Sequence, residues 1–418
     1  MRPRCSTGAH STDRLAELIC SNSLGSALPD RASGMLIGEL RRCGSLLLSI
    51  AERCAVPAGD ALAVDRQSFA EEVTRAISSI PDVEILREEA TGLPDPPAIV
   101  ASGPLTSPAL AAALTAVTGE EHLFFYDAIA PVVDGETLDR AVVFSASRRG
   151  RGELPEGDYL NCPFMREEYE RFIDALVSAE RAPLREFERA IDGGVRAGPG
   201  PFFEGCLPLE VLAARGREAP AFGPLRPVGL RDPRTGRRPY AALQLRREDA
   251  AGTRFNLVGC QTNLRPAEQE RVFRLVPGLE RARFVRFGQM HRNTFVCGPK
   301  VVGRTLEMKA RPGVWIAGQL AGVEGYLGNI ATGLAAAWDV ARHLRGEPPA
   351  LWPAETMIGA LLAAVAGSDP DTFQPIKASL GLLPPLPNPP AGRPERSRLL
   401  TERGRAALEE FLADRDRT

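Results

Sequence analysis

The sequence predicts an α/β fold, a nucleotide-binding framework of strands and helices interrupted by an inserted α+β domain. Three observations predict it. GVWIAGQLAGVEGY, Gly313 to Tyr326, is an apolar strand running into a glycine-rich turn, and the apolar pattern from Asn329 to Leu344 that follows is helical. IVASGPLTS, Ile99 to Ser107, is a second apolar run, ending in Ala-Ser-Gly. Between about residues 108 and 283 the texture changes to compact motifs such as FFYDAIAPVV, DYLNCPFMREEYERF and PFFEGCLPLEVLAARG, before strand character returns in ARFVRFGQMHRNTF.

Taken in order, residues 33–53 read as an amphipathic helix and 65–80 as another, with Asp65 near its start. VEILREEA and PPAIVASGPLTS read as short strands. Residues 1–107 and 284–383 are then two parts of one domain, 108–283 is the insertion, and a ligand site is expected at their junction. Residues 384–418 form a Pro-rich linker, PPLPNPPAGRP, and an exposed terminal helix.

With 418 residues, 44% of them apolar, the chain can build two or three cores. The net charge of −2 hides a local excess: nine Arg lie between Arg215 and Arg247, against Glu218 and Asp232. That density suits a polyanion, whose counterions are released on neutralisation; a solvated Arg-rich loop is the competing reading. The start lacks the apolar core of a secretory signal, and no apolar run reaches the roughly 20 residues of a membrane span. Eight scattered Cys form no C-x-x-C and have no His at ligand spacing, so reduced thiols, a cytoplasmic location and no metal are expected.

A strand ending in Ala-Gly-Gln, then a glycine-rich turn opening a helix, is how two-dinucleotide-binding flavoproteins, those with a glutathione-reductase-like fold, close their FAD site. Backbone N–H groups and the positive end of the helix dipole face the electron-rich edge of the flavin there. Gly318, Gln319, Glu324, Gly325 and Tyr326 are the cofactor-binding candidates in that motif. Gly103 joins them if its strand end returns the chain beneath the cofactor; a plain buried strand ending in a turn explains it equally. No G-x-G-x-x-G occurs anywhere in the sequence. Cys20 sits where a helical pattern breaks into Ser-Asn-Ser, and Cys206 on a turn between Gly205 and Pro208. Such places expose a thiol and lower its pKa, although most cytosolic Cys are buried filler. His291 and Arg292, in Gln-Met-His-Arg-Asn-Thr, could hold a heteroaromatic ligand by stacking and hydrogen bonding, or be satisfied structural residues.

The ordered set TGAHSTDRLAELICSNSL, VPAGDALAVDR, IVASGPLTS, FFYDAIAPVV, DYLNCPFMREEY, FFEGCLPLEVLAARG, LRPVGL, LVGCQTNL, MHRNTF, GVWIAGQLAGVEGY and FQPIKASLGLLPPL covers nearly the whole chain. It resembles the bacterial folate- and FAD-dependent tRNA (uracil-C5)-methyltransferases. The resemblance implies reductive methylation of the T-loop uridine. 5,10-Methylenetetrahydrofolate supplies the one-carbon unit, reduced flavin the electrons, and NAD(P)H recharges the flavin. A thiolate adds to uracil C6, C5 takes the methylene group, and a base removes the C5 proton before reductive release. The family's two Cys match Cys206, expected as nucleophile, and Cys20, expected as base or second thiol, with the order of roles open. His291, with Arg292 beside it, is expected to stack on the folate pterin. The Arg cluster is expected to bind tRNA backbone, and the target base must be unstacked. A monomer is expected.

The sequence departs from the family in several places. In the family a β-α-β unit carrying G-x-G-x-x-G precedes the position of Met1, so one such unit of about 30 residues is expected to be missing here. A start assigned at an internal Met explains this better than loss of flavin binding. Cys260 and Asn263 replace a usual Phe and His, and Leu327-Gly328-Asn329 a usual Val-Glu-Ser. The rival readings are a flavin-free tRNA-binding remnant, a relative that modifies the wobble uridine, and a flavin oxidoreductase of small molecules.

Overall fold

The computed structural model describes residues 9–183, 195–196 and 207–415. Its interior is divided between two main hydrophobic cores. The first draws on residues up to Leu114 and again from Val296 onward. At its centre a two-stranded parallel sheet pairs Ala98–Val100 with Val314–Ile316, Ile99 opposite Trp315. The helices Ala32–Arg42, Pro108–Thr118, Tyr326–Leu344 and Met357–Gly367 bury Leu36, Leu40, Leu114, Ala331 and Leu361 around it. Each fully buried Leu contributes roughly 1.5–3 kcal/mol of transfer free energy. A small antiparallel sheet with Ala61–Val64 at its centre, between Ser23–Ser26 and Ala55–Val56, flanks this core.

The second core lies wholly within residues 133–284. It backs a six-stranded antiparallel sheet in the order Phe284–Arg286, Val132–Asp134, Arg254–Leu257, Ala241–Arg247, Leu160–Phe164, Phe144–Ser145. The helices Arg166–Ser178, Leu209–Arg215 and Pro266–Phe273 cover it, and Phe172 packs between Phe164 and Phe273 at centroid distances of 5.4 and 6.0 Å. Between the cores, Leu123–Ala128 pairs antiparallel with Met290–Phe295, which sets His291 opposite Asp127.

Three sequence expectations need correction. The single helix over 33–53 is two, Ala32–Arg42 and Leu46–Arg53. Gly44, at φ +70°, turns the chain out of the first, and Ser45 restarts the second by accepting the Leu48 N–H. VEILREEA is no strand: Val83 and Leu86 are exposed and no ladder partner stands beside them among the described residues. The last helix, Arg393–Arg415, is not simply exposed, since Leu400, Leu408 and Leu412 are buried in the first core and the Phe411 ring lies 5.0 Å from Trp352. Asp65 does start its helix, accepting the Ser68 N–H at 2.9 Å.

Candidate functional site

The strand Val314–Ile316 ends at Ala317, and the chain then makes three left-handed turns at Gly318, Gly322 and Gly325, with φ of +71°, +85° and +91°. A side chain at any of them would be strained. The Gly318 N–H donates to Thr332 Oγ1 at 3.1 Å, which in turn donates to the Gly328 carbonyl at 2.9 Å, tying the turn to helix Tyr326–Leu344. Gln319 Nε2 donates to Glu324 Oε2 at 2.8 Å, and burial raises the Glu324 pKa. Facing this turn is the one after Ala98–Val100, where Gly103 has φ +74° and Pro104 accepts the Thr294 N–H. A Cβ built on Gly103 or Gly325 would meet no atom within 4 Å, and Asn329 Oδ1 is buried without a partner. Open backbone at a helix start, with an unpaired polar atom beside it, fits the ring end of a flavin.

Cys20 meets the tip of Tyr326. Its N–H donates to Tyr326 Oη at 3.0 Å and its Sγ is 4.0 Å from the Ala128 carbonyl oxygen. The thiol faces a cavity of about 110 Å³ lined also by Ser21, Arg246, Asn256, Gly259 and Gln261. Among the described residues no helix precedes Cys20, contrary to the sequence expectation. Glu17 instead accepts the N–H and hydroxyl groups of Ser11 and Thr12, holding the segment as irregular chain. Around the cavity is a buried set of charges that the sequence did not reveal. Arg246 donates to Asn22 Oδ1 at 2.8 Å and to Ser21 Oγ at 2.7 Å. Arg66 pairs with Glu248 at 2.8 Å and donates to the Leu18 carbonyl. Arg286 has its Nε and Nη2 buried without a partner, and burial together with Arg66 pushes its guanidinium down to about 10.

Burial, then the charges of Asp127 and Glu324, drives the Cys20 thiol pKa well up, with Arg66 and Arg286 opposing. The residue is held as a neutral thiol at ordinary pH. His291 is 4% exposed on its strand, with Nδ1 unpartnered. Burial, with a smaller effect from His10, lowers its pKa to about 4, so it is a neutral ring. The Arg292 guanidinium lies 3.7 Å over the Phe124 ring and 3.3 Å from His122 Nε2. The fold therefore gathers Gln319, Glu324, Gly325, Tyr326 and Cys20 at one seam, with His291 on the strand beside it. Cys206 lies outside the described residues. Of the Arg cluster, Arg246 faces inward, and Arg217 and Arg234 are paired with Asp174 and Asp232. The signal for Arg246 was its place directly after AALQL, the run that is buried throughout in strand Ala241–Arg247.

The architecture is that of a FAD-binding fold of the GidA type. Two crystal forms of Aquifex aeolicus GidA superpose with TM-score 0.63 at 14–15% identity, over 96% of this chain and 70–72% of theirs. The family model described as glucose inhibited division protein A matches residues 4–348. Among curated relatives, methylenetetrahydrofolate–tRNA-(uracil-5-)-methyltransferase of Moorella thermoacetica is 52% identical over 96% of this chain and 90% of its own length. The Desulforudis audaxviator enzyme of the same name is 51% identical over 99% of this chain and 92% of its own. The chain belongs to the glucose inhibited division protein A family and, within it, to the methylenetetrahydrofolate–tRNA-(uracil-5-)-methyltransferases.

Proposed function

We propose that this chain moves the one-carbon unit of 5,10-methylenetetrahydrofolate onto C5 of the T-loop uridine of tRNA, with FAD resident and NAD(P)H as the source of electrons. The observation that carries the reading is the seam at Tyr326. Cys20, which lines the cavity, donates its N–H to the Tyr326 hydroxyl, and Tyr326 is the first residue of the helix that follows the open backbone at Gly325. Gly103, Gly318, Gln319, Glu324, Gly325 and Tyr326 would hold the flavin, which when bound supplies the electron pair that turns methylene into methyl.

Uracil C5 becomes nucleophilic once a thiolate adds to C6. Cys20 is desolvated and faces two carboxylates, which disfavours a standing thiolate there. This supports Cys206 as the nucleophile. The Leu209 N–H donates at 2.7 Å to the carbonyl of Gln261, which lines the Cys20 cavity. In the sequence only Leu207 and Pro208 separate Leu209 from Cys206. Cys20 is then the base or second thiol: its own proton passes first to water in the cavity it lines, the thiolate so formed is favoured by Arg66 and Arg286, and it takes the C5 proton. Arg246, Asn256 and Gln261 offer donors and acceptors to the pyrimidine edge. His291 offers a neutral ring to the pterin, with Arg292 beside it. The FAD-binding parts are residues 1–107 and 284–383, the tRNA-facing insertion 108–283, and the linker and last helix 384–418. A metal-free cytoplasmic monomer belongs to the same proposal.

The test is transfer of a deuterated methylene group from methylenetetrahydrofolate to tRNA by the purified protein with FAD and NAD(P)H. Mass spectrometry should find labelled ribothymidine in the T loop, and Cys206→Ala and Cys20→Ala should each lose at least about a hundredfold in rate. No label with the unmutated protein, or normal label with Cys206→Ala, defeats the reading.

A further inference from the structure

On the outer face of the second core, a hollow of about 360 Å³ opens between the short helix Ala219–Phe222 and the loop leading to strand Ala241–Arg247. Phe222 stands at its rim with 81% of its surface exposed, and Val228, also lining it, is 40% exposed. A phenylalanine so exposed gains nothing from the fold that carries it. Arg226 and Arg238 flank the ring and make no ion pair among the described residues. Tyr240 forms the back wall, its hydroxyl donating to Glu218 at 2.5 Å and its ring lying 5.8 Å from the Arg166 guanidinium.

The loop is built rather than loose. Asp232 is buried, donates its N–H to the Arg237 carbonyl, and accepts Arg234. Gly236, at φ +66°, closes the turn. This frame holds Arg231, Arg237 and Arg238 outward.

The same segment reaches the thiol cavity from behind. Pro224, two residues after Phe222, packs so closely on Gly259 that a Cβ there would stand 2.4 Å from the Pro224 Cβ. Gly259 lines the Cys20 cavity. One face of the segment backs the cavity and the other carries an aromatic ring between unpaired cations.

We propose that this outer pocket holds a second nucleotide of the RNA substrate, its base stacked on Phe222 and its phosphates met by Arg226 and Arg238. The inference rests on the tRNA reading above and deepens it. An open aromatic face flanked by guanidiniums is how proteins grip unpaired nucleotides, because every base offers a π-face and every linkage a charge. An acidic protein segment would satisfy the arginines and leave the ring without use.

The test measures tRNA affinity by fluorescence anisotropy across 50 to 200 mM salt for unmutated protein, Phe222→Ala, Phe222→Leu and the double variant Arg226→Ala/Arg238→Ala. All sites are exposed, and thermal melts check that folding is intact. Phe222→Ala and Phe222→Leu should both weaken binding about tenfold with an unchanged salt slope. The double variant should flatten the slope by about two phosphates' worth. Methylation should fall at limiting tRNA and recover at saturating tRNA. Affinity unchanged in Phe222→Ala, or restored in full by Phe222→Leu, overturns the stacking pocket while leaving the methyltransferase reading intact. Failure of the unmutated protein to bind tRNA overturns both.

Discussion

Arg246 and Arg238 lie eight residues apart in the chain and in opposite environments. Arg246 is buried beside Cys20, its guanidinium committed to Asn22 and Ser21; Arg238 stands in solvent at the rim of the Phe222 hollow. Arg66 and Arg286 share the first environment, Arg226 and Arg231 the second. The contrast shows how burial decides what a cation can do. Inside, charge costs desolvation, which fixed partners offset for Arg66 and Arg246 while Arg286 keeps Nε and Nη2 unpartnered, and there it shapes a cavity and biases a neighbouring thiol. Outside it costs little, and acts on a polyanion through counterion release.

The largest effect should come from breaking the inner set. Glu248 is buried against Arg66 and offsets the neighbouring Arg286 and Arg246 as well. Glu248→Ala leaves Arg66 buried without its carboxylate, and the expected loss is about 3–5 kcal/mol. Urea unfolding measures it; a midpoint within error of the unmutated protein would mean that water already reaches this pair.

Little of that inner set could be read from the sequence, for a physical reason. Arg66 and Glu248 are separated by 182 positions, and only the docking of the two cores brings them together. Arg286 sits on an edge strand of the six-stranded sheet, yet its charge acts on Cys20, far away in the sequence. The turn at Gly318 and Gly325 was legible because strand, turn and helix are contiguous and their glycines answer local backbone demands. The sequence around Cys20 shows the break into Ser-Asn-Ser but not the local structure that precedes it. The break into Ser-Asn-Ser marks entry to strand Ser23–Ser26, and the residues before it are held by Glu17 instead of a helix. Phe222 carried no signal, since exposure is a property of the folded surface.

A second effect, of intermediate size, extends the comparison to buried groups that titrate. His291 has a pKa lowered to about 4 by burial, against 6.5 ordinarily. The unfolded chain therefore binds the proton first, and this contribution to stability is present above pH 6.5 and is lost as pH falls toward 4. Glu39, buried and accepting the N–H groups of Met357 and Ile358, is pushed the other way, from 4.5 up to about 7. Its folded form holds the proton, so its contribution is present below pH 4.5 and is lost as pH rises through 7. The two slopes oppose each other between pH 4.5 and 6.5. His291→Gln should expose the Glu39 slope, giving a protein that loses stability from pH 4.5 to 7; Glu39→Gln should expose the His291 slope, with the reverse trend. Shifts of this size correspond to about 3 kcal/mol. Unfolding midpoints at pH 4.5, 5.5, 6.5 and 7.5 decide it, and parallel profiles for the two variants would contradict both assignments.

The smallest effect should come from an outer arginine that already has a partner. Arg217 pairs with Asp174 at 2.5 Å, both side chains more than half exposed. Solvent screens that pair, so Arg217→Ala should leave the unfolding midpoint where it was. Its effect on tRNA should be small as well, because Asp174 already neutralises the charge before any phosphate arrives. Arg238→Ala removes a cation with no such partner among the described residues and should flatten the salt dependence of tRNA binding by about one phosphate. Measured side by side under identical salt, the two variants separate local charge from net charge. Equal loss of slope in both would show that the outer face acts through its summed field, and that the positions of Arg226 and Arg238 beside Phe222 have no special weight.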